Sequence, residues 1–76
     1  MTQILLPELG EGITKATVAF WHHKEGDMVG KGDEICEVTT DKAVFNVEAP
    51  ADGGLKTIAV KVGQEAQVGG VLGTIE

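Results

Sequence analysis

Lys24-Glu25-Gly26-Asp27 falls over Lys61-Val62-Gly63-Gln64 when the chain is shifted by 37 positions against itself. The same shift sets Gly32 over Gly69, Ile35 over Leu72, Cys36 over Gly73 and Val38 over Ile75. Upstream it sets Val18 over Leu55 and Trp21 over Ile58. Glycine returns at the turn positions and apolar residues return at the positions between them, so one turn grammar is written twice. Two similar sheets related by an approximate two-fold axis satisfy this pattern. Neither sheet covers its apolar face without the other, so the halves are expected to fold together.

The segments around the repeat are strand-like. Eleven glycines and two prolines in 76 residues interrupt the chain too often for helices of ordinary length. Stretches rich in Val, Ile, Thr and Phe lie at residues 4–6, 17–21, 35–40, 43–49, 55–60 and 71–75. They predict an all-β antiparallel sandwich or barrel. Residues 43–49 alternate, with Ala43, Phe45, Val47 and Ala49 on one face and Asn46 and Glu48 on the other; only Val44 spoils the outer set. Residues 13–24 are the best helical candidate, but Thr14, Thr17, Val18, Phe20 and Trp21 suit a pleated surface better. Val18, Cys36, Val38, Phe45, Val47, Leu55, Ile58 and Ile75 are expected inside.

Length and charge narrow the function classes. A chain of 76 residues is expected to form one domain, 1–76, with a small core. Six lysines, no arginine and 12 acidic residues give a net charge of −6. This argues against nucleic acid, whose backbone is bound by clustered Lys and Arg, and against an anionic membrane surface. The lack of arginine also removes the bidentate clamp for phosphate or carboxylate. Cys36 has no second cysteine to pair with, which fits a reducing compartment. No apolar run reaches the length of a membrane span, and Met1-Thr2-Gln3 lacks the basic start of a signal peptide. The expectation is a soluble acidic domain.

The repeat also locates where its halves differ. Val38 is followed by Thr39-Thr40-Asp41-Lys42-Ala43, a polar turn, whereas Ile75 is followed by the last residue, Glu76. A symmetric fold then puts the Asp41-Lys42 turn at one end and both termini at the other. Lys42 is placed at the tip of a hairpin, with the Asp41 side chain expected to hydrogen-bond its own backbone. An ordinary solvated lysine is one reading of that position. The other is a single amine held out rigidly for a modifying enzyme, which a tight hairpin does well.

Asp41-Lys42-Ala43, together with Leu9-Gly10-Glu11-Gly12-Ile13 and Gly26-Asp27-Met28-Val29, resembles the lipoyl domains of acyltransferase components of 2-oxo acid dehydrogenase complexes. The resemblance implies a flattened β-barrel of two four-stranded antiparallel sheets with internal pseudo-two-fold symmetry. By the same resemblance, Lys42 would carry lipoic acid in amide linkage, flanked by Asp41 and Ala43. Gly10, Glu11, Gly12 and Ile13 would form the loop met by the decarboxylase, with Thr40 joining the recognised surface. Thr39 departs from many members, which carry Glu there; this bears on the choice of complex more than on the family.

The implied function is a swinging-arm carrier, non-catalytic in itself and part of a dihydrolipoamide acyltransferase. The cofactor carries the chemistry while the protein supplies presentation and recognition. The implied partners are a lipoate ligase or lipoyl transferase, a thiamine-dependent 2-oxo acid decarboxylase, the acyltransferase core and dihydrolipoyl dehydrogenase. The isolated domain is expected to be a monomer. Its expected location is the cytoplasm of a bacterium or archaeon, or the mitochondrial matrix of a eukaryote. The residues fit either a segment of a longer polypeptide or a free-standing carrier. Two alternatives stand beside this reading: a biotinyl carrier domain, whose lysine usually lies between methionines that are missing here, and an unmodified interaction module.

Other conspicuous residues read as structural. His22 and His23 would point to opposite faces of a strand, so they are not expected to share a metal. Cys36 and Trp21 are expected to pack, and Asp27 and Asp33 to shape turns. Glu11 and Glu25 lack an obvious cleft that would make them an acid–base pair.

Overall fold

A computed structural model describes residues 1–76 as eight β-strands. They are β1 (Thr2–Leu5), β2 (Lys15–Trp21), β3 (Met28–Val29), β4 (Glu34–Thr39), β5 (Val44–Glu48), β6 (Gly53–Ile58), β7 (Glu65–Gln67) and β8 (Val71–Ile75). They form two four-stranded sheets, ordered β1-β8-β6-β3 and β5-β4-β2-β7, and every pairing is antiparallel. Each strand of one sheet has its counterpart four strands away in the other. The flattened all-β barrel and its internal two-fold are therefore as the repeat and the resemblance imply.

The two halves are exchanged rather than merely stacked. Gly26 N donates to Leu55 O and Leu55 N donates to Asp27 O, both at 2.8 Å. One repeat later, Gly63 N donates to Val18 O at 2.8 Å and Val18 N donates to Gln64 O at 2.9 Å. Each turn of one half thus hydrogen-bonds a strand of the other half, and a half alone would leave these backbone groups unpaired. The turns themselves match. Asp27 Oδ2 accepts from Lys24 N at 3.0 Å, and Gln64 Oε1 accepts from Lys61 N at 2.8 Å. Gly26 and Gly63 hold φ at 97° and 90°, a region that glycine enters without a side-chain clash.

β3 and β7 are additions to the strands read from sequence. With two and three residues they are too short to show an alternating pattern. Residues 15–21 are strand, not helix, as their β-branched and aromatic content predicts.

The core is wholly apolar, and its fully buried side chains include Ile4, Leu6, Ile35, Leu55, Leu72 and Ile75. Of the eight residues expected inside, Val18, Cys36, Val38, Val47, Leu55 and Ile75 are buried, whereas Phe45 and Ile58 are half-buried and pack against the core. Phe45 is the first inward position after the 40–43 turn and packs against the core without being fully covered. Ala43, also expected inward, is exposed because β5 begins only at Val44.

Lys42 and the termini lie at opposite ends of the β4–β5 hairpin. Glu34 pairs with Glu48 at the far end from the 40–43 turn. Beside that far end, Gly32 N donates to Ala49 O at 3.0 Å, and Lys31 N to Asp52 Oδ1 at 2.7 Å. Next to Asp52, Glu76 exchanges two 2.9 Å bonds with Gly54, while Thr2 pairs with Ile75.

Candidate functional site

β4 and β5 stop pairing at Thr39 and Val44, leaving residues 40–43 to close the hairpin. Thr40 N donates to Ala43 O at 2.9 Å. The Thr40 hydroxyl accepts from Lys42 N at 3.1 Å and from Ala43 N at 3.0 Å, and donates to Ala43 O at 3.1 Å. The side-chain lock of this turn is therefore the Thr40 hydroxyl. The expectation that Asp41 would hydrogen-bond its own backbone does not hold, because Thr40 already takes the nearby N–H groups. The Asp41 carboxylate is left exposed.

Lys42 is exposed at the tip and stands in no ion pair, in contrast to Lys15 with Glu65 at 3.6 Å and Lys56 with Glu76 at 2.8 Å. A loop from the β1–β2 connection flanks it. Ile13 N donates to Gly10 O at 3.2 Å, which folds the loop back on itself. Gly12, with φ 81°, passes so close that a Cβ there would lie 3.8 Å from Lys42 Nζ. Gly10, Glu11 and Gly12 are exposed, and of these Gly12 is the one set against the lysine. Ile13 is half-buried, with its Cδ1 3.5 Å from where a Gly10 Cβ would stand, so its side chain helps to hold the loop in place.

Both departures from the two-fold meet at this point. One is the 40–43 turn, which occupies the place of the chain ends in the other half. The second is the β1–β2 connection, which is longer than its β5–β6 counterpart. The sequence carries a signal for it: Pro7 over Pro50 and Gly10 over Gly53 follow a step of 43 positions, not 37. Gly10 and Gly53 share φ values of 148° and 150°. Gly12, one of the residues inserted after Gly10, is the one that reaches Lys42.

The remaining conspicuous residues are accounted for structurally. Glu25 Oε2 accepts from Ile58 N at 2.8 Å, and Asp33 Oδ2 accepts from Gly30 N at 2.8 Å. Trp21 packs against the core and donates from Nε1 to Val60 O at 2.8 Å. His22 and His23 lie in a bend beyond β2, not in the strand where they were expected. His22 sets its ring edge-on to Phe20 with centroids 5.2 Å apart, and His23 Nδ1 lies 4.0 Å from Asp27 Oδ2.

Cys36 is fully buried, and burial pushes its thiol from 9.0 up to about 11. Between those values the unfolded chain has lost the thiol proton while the folded chain retains it. Stability tied to Cys36 is thus fully present below pH 9 and declines as pH rises towards 11. The full decline is about 2–3 kcal/mol, because each tenfold change in acidity is worth about 1.4 kcal/mol. Urea midpoints of the wild type and Cys36→Ala, followed together through this range, are expected to converge. Parallel curves would show that the thiol is not shielded.

The biotin/lipoyl family model, described as "Biotin-requiring enzyme", matches residues 2–75. The chain belongs to this family. Within it, the likeness is to lipoyl and not biotinyl domains. The solved lipoyl domain of the 2-oxoglutarate dehydrogenase complex from Azotobacter vinelandii is 36% identical with a TM-score of 0.78, covering 100% of this chain and 96% of that one. The lipoyl domain of the Escherichia coli dihydrolipoyl succinyltransferase component is 39% identical with a TM-score of 0.79, covering 99% and 94%.

Among curated relatives of this lipoyl domain, the succinyltransferase component of the Rickettsia felis 2-oxoglutarate dehydrogenase complex is 40% identical over 73 residues. The Bos taurus mitochondrial lipoamide acyltransferase component of the branched-chain alpha-keto acid dehydrogenase complex is 41% identical over 76 residues. The matches take in 96% and 100% of the lipoyl domain but span only 18% and 16% of the relatives.

Proposed function

We propose that Lys42 carries lipoic acid and that the domain acts as the swinging-arm carrier of a 2-oxo acid dehydrogenase complex, within a dihydrolipoamide acyltransferase. The observation that carries this reading is the amine itself: Lys42 is exposed, outside any ion pair, and mounted on a turn whose backbone is hydrogen-bonded from within. The Gly12 flank fits an acylated arm, because no side chain projects there to obstruct it. In its neutral form, Lys42 Nζ attacks the activated carboxyl carbon of a lipoyl donor, an acyl-adenylate or thioester. The amide C–N bond forms, the bond to the adenylate or thiolate leaving group breaks, and the amine proton passes to solvent. The lost positive charge takes the net charge from −6 to −7, since −6 − 1 = −7. When bound, the group supplies a dithiolane that takes up an acyl group and two electrons and is later reoxidised.

The chain's own part is presentation and recognition. Asp41 and Ala43 flank the amine for a lipoate ligase or lipoyl transferase, and Gly10, Glu11, Gly12 and Ile13 form the rim offered to a thiamine-dependent decarboxylase. The acyltransferase core and dihydrolipoyl dehydrogenase complete the set of partners. An acidic surface steers encounters towards basic partner faces and repels wrong ones. The corresponding setting is a bacterial or archaeal cytoplasm, or the mitochondrial matrix. Co-expression with a lipoate ligase followed by intact-mass measurement and tandem peptide mapping tests the assignment. The expected result is one lipoyl adduct, on Lys42. An adduct on another lysine, or none under conditions that modify a known lipoyl domain, would overturn it.

A further inference from the structure

We infer that Thr40 is a positioning residue for the modification of Lys42, acting through the turn and not by contact with the modifying enzyme; this rests on Lys42 being the lipoyl-bearing residue. The hairpin ladder ends at Thr39 and Val44, so the Lys42 and Ala43 N–H groups have no cross-strand carbonyl opposite them. Both point instead at one oxygen, Thr40 Oγ1, at 3.1 and 3.0 Å. The proton of that hydroxyl goes to Ala43 O at 3.1 Å, where the Thr40 amide also donates at 2.9 Å.

A hydroxyl has one proton to give and two lone pairs to offer, and here all three are engaged. Thr40 therefore has no free hydrogen-bonding capacity for a partner protein. Its oxygen is used up fixing the two peptide units on either side of the Lys42 Cα. Threonine suits this work because its β-branch restricts χ1 and keeps the hydroxyl where the turn needs it. A ligase that meets this turn finds the lysine backbone already ordered, and so avoids the entropy of freezing a loose loop on binding. Asp41 and Lys42 project outward from the frame that Thr40 holds.

Thr40→Val keeps the shape and the β-branch but removes the oxygen, and Thr40→Ser keeps the oxygen. In the unmodified Thr40→Val domain, amide hydrogen exchange at Lys42 and Ala43 is expected to rise about tenfold or more, with exchange at Val38 and Val47 unchanged. The kcat/KM for lipoylation by a lipoate ligase is expected to fall by about tenfold. Thr40→Ser is expected to restore both values to near wild type. Slower lipoylation with unchanged exchange would mean that the enzyme reads the hydroxyl directly, which overturns the positioning role. Unchanged lipoylation in Thr40→Val would overturn it too. A wild-type domain that takes no lipoyl group at Lys42 is a distinct outcome, because it removes the underlying reading whatever Thr40 does to the amides.

Discussion

Lys42→Arg is expected to abolish lipoylation completely while leaving the urea-derived stability within about 0.5 kcal/mol of the wild type, as for other exposed positions. Arginine keeps the length and positive charge of the side chain but remains protonated at any working pH, so it offers no free nucleophilic pair to an activated carboxyl. The substitution disturbs no ion pair, because Lys42 makes none. It also leaves the turn intact, because the bond of Lys42 to Thr40 runs through its backbone N–H. Loss of carrier activity with unchanged stability separates chemistry from folding at one position. Intact mass and a denaturant titration on the same preparation decide it. A residual lipoyl adduct in Lys42→Arg would place the carrier amine on another lysine.

Gly73→Ala is expected to be strongly destabilising for so small a change, at about 1–3 kcal/mol. A Cβ at this position would stand 2.5 Å from Thr57 O and 3.4 Å from Cη2 of Trp21. The cause is crowding and not an unusual backbone angle, since Gly73 does not hold a positive φ. Thr57 O cannot retreat without bending β6 away from β8, where Ile58 pairs with Gly73 and Thr57 with Thr74. In a relaxed strand, replacing glycine by alanine would instead stabilise by limiting the unfolded chain, so the sign of the effect is itself a test. For a domain whose total stability is only about 5 kcal/mol or a little more, the loss is a large share. Thermal and urea unfolding followed by the fluorescence of the single tryptophan, Trp21, checks it. An unchanged or raised midpoint would mean that β6 and β8 are more widely spaced at this point.

The parts of this molecule that were legible in the sequence are those where one residue type has no substitute. Gly26 and Gly63, like Gly32 and Gly69, mark matching turns because their positive φ excludes most side chains, so the repeat survives as a pattern of letters. Residues 44–48 were legible because alternation encodes faces. β3 was not, since two residues define no period, and its place is set by the partner strand β6. The turn at Lys42 shows another limit. Thr40 and Asp41 are both turn formers, and only the folded geometry decides which oxygen receives the N–H groups. The approach of Gly12 to Lys42 joins positions 30 residues apart (42 − 12 = 30), and local spacing says nothing about it; the family resemblance supplied it.

The strand order has a kinetic consequence. Of the six pairings, only β4–β5 joins strands that are consecutive in sequence; β1 with β8 closes nearly the whole chain. Each of the other five must bring distant segments together before it gains anything, and that delay is characteristic of slow-folding β topologies. The cheapest first contact is then the hairpin that carries Lys42, so the proposed modification turn is also where folding can most easily begin. Its turn residues would act on the refolding arm of a chevron more than on the unfolding arm, and Thr40→Val is the variant in which that division would be read. If Lys42 carries the lipoyl group as proposed, sequence change at this turn is constrained twice, once by recognition and once by the rate at which the chain reaches its native state.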